Sequence, residues 1–251
     1  MIKEEIYVVS SLDGTIQPSL YFAADGDNRP LLVGLHTWSH MRDNQINNLL
    51  PIAEKNGFNL LLPEFRGSNL CTNPDPLKAC GSIYAKTDIK EAIDYIKGTR
   101  NIDVDNIFLV GLSGGGHMAM LMAGFIPEYF RAIAPFVPIS DIEMWLFQSP
   151  EVYHKHILAC TGGDRGEMYD RSPIKYIDTI AKANIKVFHG KYDNVVPVMQ
   201  SIGFYNLMMQ RHPDAKCYLD IFDGGHHFDR MLCENWLLSQ YKKTALTEVT
   251  G

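Results

Sequence analysis

Short runs of branched and aromatic residues recur along the chain, each followed by a stretch in which apolar positions return every three or four residues. The first kind occupies Leu31–His36, Phe58–Leu62, Ile107–Leu112, Ala132–Val137, Ile185–His189 and Cys217–Phe222 and predicts strands. The second covers Gln45–Asn56, Ile83–Lys97, Gly115–Phe125, Ile174–Ala183, Pro197–Arg211 and Asp229–Ser239 and predicts helices. Strands without polar alternation are buried on both sides, so the pattern implies an α/β class with a mostly parallel sheet and helices on both faces. Ahead of the alternation, an Asp13–Gly14 turn joins Ile6–Val9 to Thr15–Ala23, an antiparallel N-terminal hairpin at one sheet edge. Segment 139–172 alone breaks the rhythm. It places Trp145, Phe147, Tyr153, Met168 and Tyr169 among polar residues, which suits a small lid insertion over a binding site.

No repeat or linker divides the 251 residues, and a single α/β domain over 1–251 is expected. The 46% apolar and 21% charged composition is that of a globular chain. A net charge of −6 without a Lys/Arg run argues against a nucleic-acid or acidic-membrane surface. Cys71, Cys80, Cys160, Cys217 and Cys233 are odd in number and scattered, which fits a reducing compartment. A bridge between Cys71 and Cys80 stays open at this level. The first residues carry acidic side chains and no apolar leader core, so a cytoplasmic location is expected. The most apolar stretch, Phe108–Ile126, is interrupted by Ser113, His117 and glycines, a poor membrane span.

Those interruptions carry the chemistry. Gly111-Leu112-Ser113-Gly114-Gly115 lies between a strand and a helix, the context in which G-x-S-x-G forms a nucleophile elbow. Its small neighbours let a strained serine stand above the sheet, with the helix's first N–H groups aimed at a developing oxyanion. Serine needs a base, and the base needs an orienting group. Beyond the strand Ile185–His189 comes Asp193, and beyond Cys217–Phe222 a glycine turn delivers His226 and His227. The order Ser…Asp…His brings all three to one sheet edge, where open α/β folds bind ligands. Asp220, Asp223 and Asp229 are rivals by proximity to the histidine, but the first lies within a strand and the others suit turn or cap positions. His154, His156 and Cys160 share the lid segment without a fourth ligand at a zinc spacing. No metal and no cofactor are expected. His189 is expected to brace the acid turn, and His117 to fringe the pocket.

The chain resembles an α/β-hydrolase of the prolyl-oligopeptidase-like group, from its first hairpin to about Trp236. Besides the elbow, the likeness rests on Pro63-Glu-Phe-Arg66-Gly67 and on Asp88, read as opening the helix Ile89–Lys97. Pro127-Glu-Tyr-Phe-Arg-Ala132, Ser172-Pro173 and Gly190-Lys-Tyr-Asp193-Asn-Val-Val-Pro197 complete it. The resemblance makes Ser113 the nucleophile, His226 the general base and later acid, and Asp193 its orienting carboxylate. It places one oxyanion donor at the Gly114 N–H and the other in the loop after Leu31–His36. There this chain has His36-Thr37-Trp38-Ser39 where relatives usually carry His-Gly-Gly, which makes Trp38 the second donor and Thr37 its alternative. Thr37, Trp38 and Trp145 then border the substrate pocket. Larger members of the group carry a propeller that restricts access to peptides, and only a short hairpin precedes the catalytic sheet here. The expected activity is hydrolysis of small carboxylic esters through an acyl-serine. A serine peptidase acting on short peptides, or a non-catalytic binding protein, are the alternatives, and oligomeric state is left undetermined.

Overall fold

In the computed structural model, which describes residues 1–242, the apolar runs pair into one eight-stranded sheet of order β1-β2-β4-β3-β5-β6-β7-β8. The strands are β1 Ile2–Val9, β2 Ile16–Ala23, β3 Arg29–Leu35, β4 Asn59–Pro63, β5 Ile102–Leu112, β6 Ala132–Phe136, β7 Ile185–Gly190 and β8 Cys217–Phe222. β1 and β2 are antiparallel to each other, and β2 is antiparallel to β4. Every other pairing from β4 to β8 is parallel, as continuous burial of those strands requires.

Nine α-helices are found among the described residues: α1 Ile46–Asn56, α2 Ile83–Thr99, α3 Gly114–Phe125, α4 Ile142–Gln148, α5 His154–Thr161, α6 Arg165–Asp170, α7 Ile177–Ile180, α8 Met199–Arg211 and α9 Arg230–Gln240. One core packs α2, α3, α7 and α8 on one sheet face through Ile89, Ile93, Met118, Leu121, Ile177 and Phe204. The other packs α1 and α9 on the opposite face through Leu49, Ile52, Cys233 and Leu237. Because β3 and β5 are neighbours while their crossovers lead to opposite sides, the sheet has a switch point at their carboxyl ends, a natural place for a site.

Two local expectations change, and the structure adds detail at two further places. Ile174–Ala183 is not one helix but a 3-10 turn, Pro173–Tyr176, running into the single turn α7. Asp88 does not open a helix. It lies inside α2, whose N-cap is Ser82 accepting from the Ala85 N–H, and it is buried against Arg66 at 2.5 Å. Segment 139–172 is largely helical, forming α4–α6 around a small third core of Ile142, Trp145, Ile157, Cys160 and Met168 with Trp38 and Val196. All five cysteines are free, so Cys71 and Cys80 are not bridged. Positions 243–251 of the expected single domain lie outside the described residues.

Candidate active site

The strand-to-helix transition at β5–α3 is tight enough that the intervening residue is forced out of the ordinary regions. Ser113 sits at φ 57°, ψ −117°, a conformation costly for any residue with a Cβ and held only when its surroundings over-determine it. The Ser113 N–H donates to Phe136 O at 2.9 Å, and a Cβ at Gly111 would lie 2.0 Å from Gly115 O. At Gly114 a Cβ would stand 2.5 Å from Trp38 N and 2.7 Å from Trp38 Cα. That missing methyl is what allows the Trp38 backbone to lie alongside the start of α3.

The loop bearing Trp38 is fixed from beneath. Thr37 donates its N–H to Asn44 Oδ1 at 3.2 Å and is thereby engaged, while the Trp38 backbone lies beside Gly114. Trp38 O accepts from Asn69 N at 2.7 Å. His36 Nδ1 meets Thr37 O at 3.0 Å, and its ring stacks on Phe65 with centroids 3.8 Å apart. His36 Nε2 lies 3.1 Å from Glu64 Oε1. Burial alone would raise the Glu64 pKa. The opposing contacts with His36 and the Arg42 N–H outweigh it, and the carboxyl is held below its ordinary value. This His36–Glu64 pair was not anticipated. The β3–β4 register sets Val33 opposite Leu61, and carrying it three residues further brings His36 level with Glu64.

Asp193 and His226 are brought together by two turns that touch backbone to backbone. Lys191 N–H donates to Phe222 O at 2.9 Å and Tyr192 N–H to Gly224 O at 2.8 Å, while a Cβ at Gly190 would lie 2.1 Å from Gly225 O. The Asp193 side chain is wholly buried. Its Oδ1 accepts the N–H groups of Val195 and Val196 at 2.8 and 2.9 Å, and its Oδ2 meets His226 Nδ1 at 2.7 Å. His189 Nε2 lies 3.5 Å from the same Oδ2. Burial would raise the Asp193 pKa, but the contacts with His189 and His226 prevail and hold it well below the carboxylate range. His189 is therefore the brace expected: Nε2–H donates to Val196 O at 2.8 Å, and Nδ1 accepts from the Ser201 hydroxyl at 2.7 Å.

The rivals fall elsewhere. His227 is exposed with its ring against Phe222. Asp220 pairs with Lys186 at 2.9 Å, Asp229 caps α9 and Asp223 is exposed. His117 is fully buried and donates Nε2–H to Arg171 O at 2.7 Å; burial drives its pKa down to about 4, so it is a neutral tie between α3 and segment 139–172. His156 is buried, accepting the Cys71 N–H on Nδ1 at 2.9 Å, while His154 meets Ser149 O. Trp145, expected at the pocket, is 1% exposed. It packs edge-on against Trp38 with centroids 4.9 Å apart and donates Nε1–H to Val195 O at 3.0 Å, tying α4 to the acid turn. Thr37 is half-buried.

Comparison with known proteins gives matches of both family and fold. The family model for the prolyl oligopeptidase family covers residues 48–235, most of the chain. The acylamino-acid-releasing enzyme of Rattus norvegicus is 26% identical over 176 residues, covering 66% of this chain and 24% of that enzyme. The chain thus spans about a quarter of the length of that relative. A puromycin-hydrolyzing peptidase of Mycobacterium tuberculosis superposes with TM-score 0.76 at 16% identity, over 94% of this chain and 37% of its own. Pyrococcus horikoshii acylaminoacyl peptidase gives 0.76 at 18% identity, over 94% and 40%. The shared architecture is the α/β-hydrolase fold expected from the sequence. No helix among the described residues is long and apolar enough to cross a membrane. By the extent of the family match, the chain belongs to the prolyl oligopeptidase family of serine hydrolases.

Proposed function

We propose that Ser113, His226 and Asp193 act as one acyl-transfer unit and that the chain hydrolyses small carboxylic esters. The contact that carries this reading is the 2.7 Å pairing of His226 Nδ1 with Asp193. With Nδ1–H donated to a buried carboxylate, the neutral ring has its lone pair on Nε2, the tautomer a general base requires. His226 then takes the Ser113 proton as the hydroxyl oxygen attacks the ester carbonyl. The Gly114 and Trp38 N–H groups hold the oxyanion, and the imidazolium returns its proton to the departing alkoxide. Water, activated by the same ring, releases the acid and restores Ser113. No step calls for a cofactor. Segment 139–172 serves as the lid, since Trp145 touches both the oxyanion loop and the acid turn. Five free cysteines support a reducing, cytoplasmic setting.

Thr37 and Trp38 border the acyl pocket, and Trp145 closes it through its contact with Trp38. That packing supports a short acyl group. An ester also demands less of His226, because an alkoxide departs more readily than an amine. A second reading, cleavage of short N-acylated peptides, is favoured by the relative named as an acylamino-acid-releasing enzyme. Comparing kcat/KM for p-nitrophenyl acetate and butyrate with that for acetylaminoacyl-, aminoacyl- and prolyl-p-nitroanilides decides between them. Much faster ester turnover is expected, and equal or better rates on an anilide make the chain a peptidase.

A further inference from the structure

Lys86 occupies an unusual place for a lysine. It lies in the first full turn of α2 and is only 9% exposed. Its ammonium lies over the rings of Tyr176 at 5.3 Å and Phe125 at 5.6 Å. Among the described residues no carboxylate stands within ion-pair distance of it. The neighbouring charges are already matched: Arg171 pairs with Glu167 at 2.9 Å, and Lys175 pairs with Asp170. Arg171 also donates to Leu77 O and Ala79 O, both at 2.9 Å, so its guanidinium is engaged.

The helix makes the isolation worse. The N-terminus of a helix carries positive partial charge and disfavours a cation there. Ser82 Oγ accepts the Ala85 N–H at 3.2 Å and Ser82 O accepts the Lys86 N–H at 3.1 Å, which leaves the Ile83 and Tyr84 N–H groups without partners inside the helix. Burial, reinforced by Arg171 and Lys175, lowers the Lys86 pKa. Lys86 also lines a cavity of about 360 Å³ between the start of α2 and α6, together with Ser82, Tyr84, Tyr176, Arg171, Glu167 and Asp170, the two carboxylates being held by Arg171 and Lys175. That is the size of a small-molecule site, and neither Ser113 nor Asp193 nor His226 borders it.

We propose that this cavity binds a small molecule through a carboxylate or phosphate group paired with the Lys86 ammonium and the first-turn N–H groups of α2. An anion there gives the Lys86 ammonium a charged partner beyond the two rings and offsets its place at the positive helix end. The aromatic rings of Tyr84 and Tyr176 border the remainder of the ligand.

Titration of the whole protein at constant ionic strength, followed by amide NMR, tests this with two probes, inorganic phosphate and acetate. Saturable shifts centred on Ile83–Lys86 are expected for at least one probe, and comparison of the two says which group the site prefers. Lys86→Gln weakens that affinity about tenfold or more, as loss of a charged hydrogen-bond partner implies, whereas Lys86→Arg retains it. Shifts that fail to saturate with both probes, or that centre elsewhere, overturn the proposal. Unchanged affinity in a folded Lys86→Gln does the same, and where that variant does not fold, the wild-type titration decides alone.

Discussion

Substituting Gly114 by alanine adds one methyl group at the closest backbone approach in the proposed oxyanion site. The new Cβ would lie 2.5 Å from Trp38 N and 2.7 Å from Trp38 Cα. Carbon contacts are favourable at about 3.5–4.0 Å, so the two backbones must separate by about an ångström. Neither side gives easily. Trp38 is held by Asn69 through its carbonyl at 2.7 Å and by Trp145 against its indole, while Ser113 is held by Phe136 O at 2.9 Å. An oxyanion donor works over about 2.7–3.1 Å, and removal of one costs about 10²–10³ in kcat. Gly114→Ala should therefore lower kcat on p-nitrophenyl acetate by that factor with little change in KM, because the lost contact forms only in the transition state. Steady-state kinetics, with circular dichroism to show that the variant is folded, measures this. A folded variant with kcat within about threefold of the parent would refute the placement of the oxyanion between Gly114 and Trp38.

Two further outcomes follow from buried charges. Asp193 is held well below the usual carboxylate pKa, against its own burial, by contacts with His189 and His226. Its folded-state value lies beneath the unfolded one, so its stabilisation is present above about pH 4 and fades as pH falls through the folded value. The melting-temperature gap between the parent and Asp193→Asn should be wide at pH 7 and should narrow as pH drops below about 4; a gap independent of pH contradicts this. Arg66→Met strands Asp88, whose side chain is 0% exposed and bonded to Arg66 at 2.5 Å, and should cost about 3–5 kcal/mol in urea denaturation. Asp88→Asn in the Arg66→Met background should recover part of that loss.

The parallel strands and the long helices were legible because burial on both sheet faces and one-sided helix burial write distinct periods into the sequence. The elbow was legible for a different reason: a strained turn between a strand and a helix tolerates few side chains, so glycines mark it. Chain order and turn position likewise singled out Asp193 and His226, whose side chains meet at 2.7 Å. What local pattern could not convey was pairing across elements. Asp88 matched a helix start only by resemblance, whereas periodicity already put it inside Ile83–Lys97, and nothing local marked its partner Arg66, 22 residues away. Trp145 sat among polar neighbours and suggested an open pocket, but its indole N–H reaches Val195 O, 50 residues on. The same holds for His156, whose acceptor nitrogen serves Cys71 on a different loop. Ile174–Ala183 has helical periodicity, but Pro173 favours a tight first turn and the chain leaves the helix after Ile180.

The central claim is that Ser113 is made nucleophilic by His226 through Asp193. Reaction with a fluorophosphonate, followed by peptide mass mapping and by the rate of adduct formation, tests it most directly. The adduct should map to Ser113 in the parent and in His227→Ala at similar rates, should be absent in Ser113→Ala, and should form slower by orders of magnitude in His226→Ala. An adduct on another residue, or labelling in His226→Ala as fast as in the parent, would contradict the account.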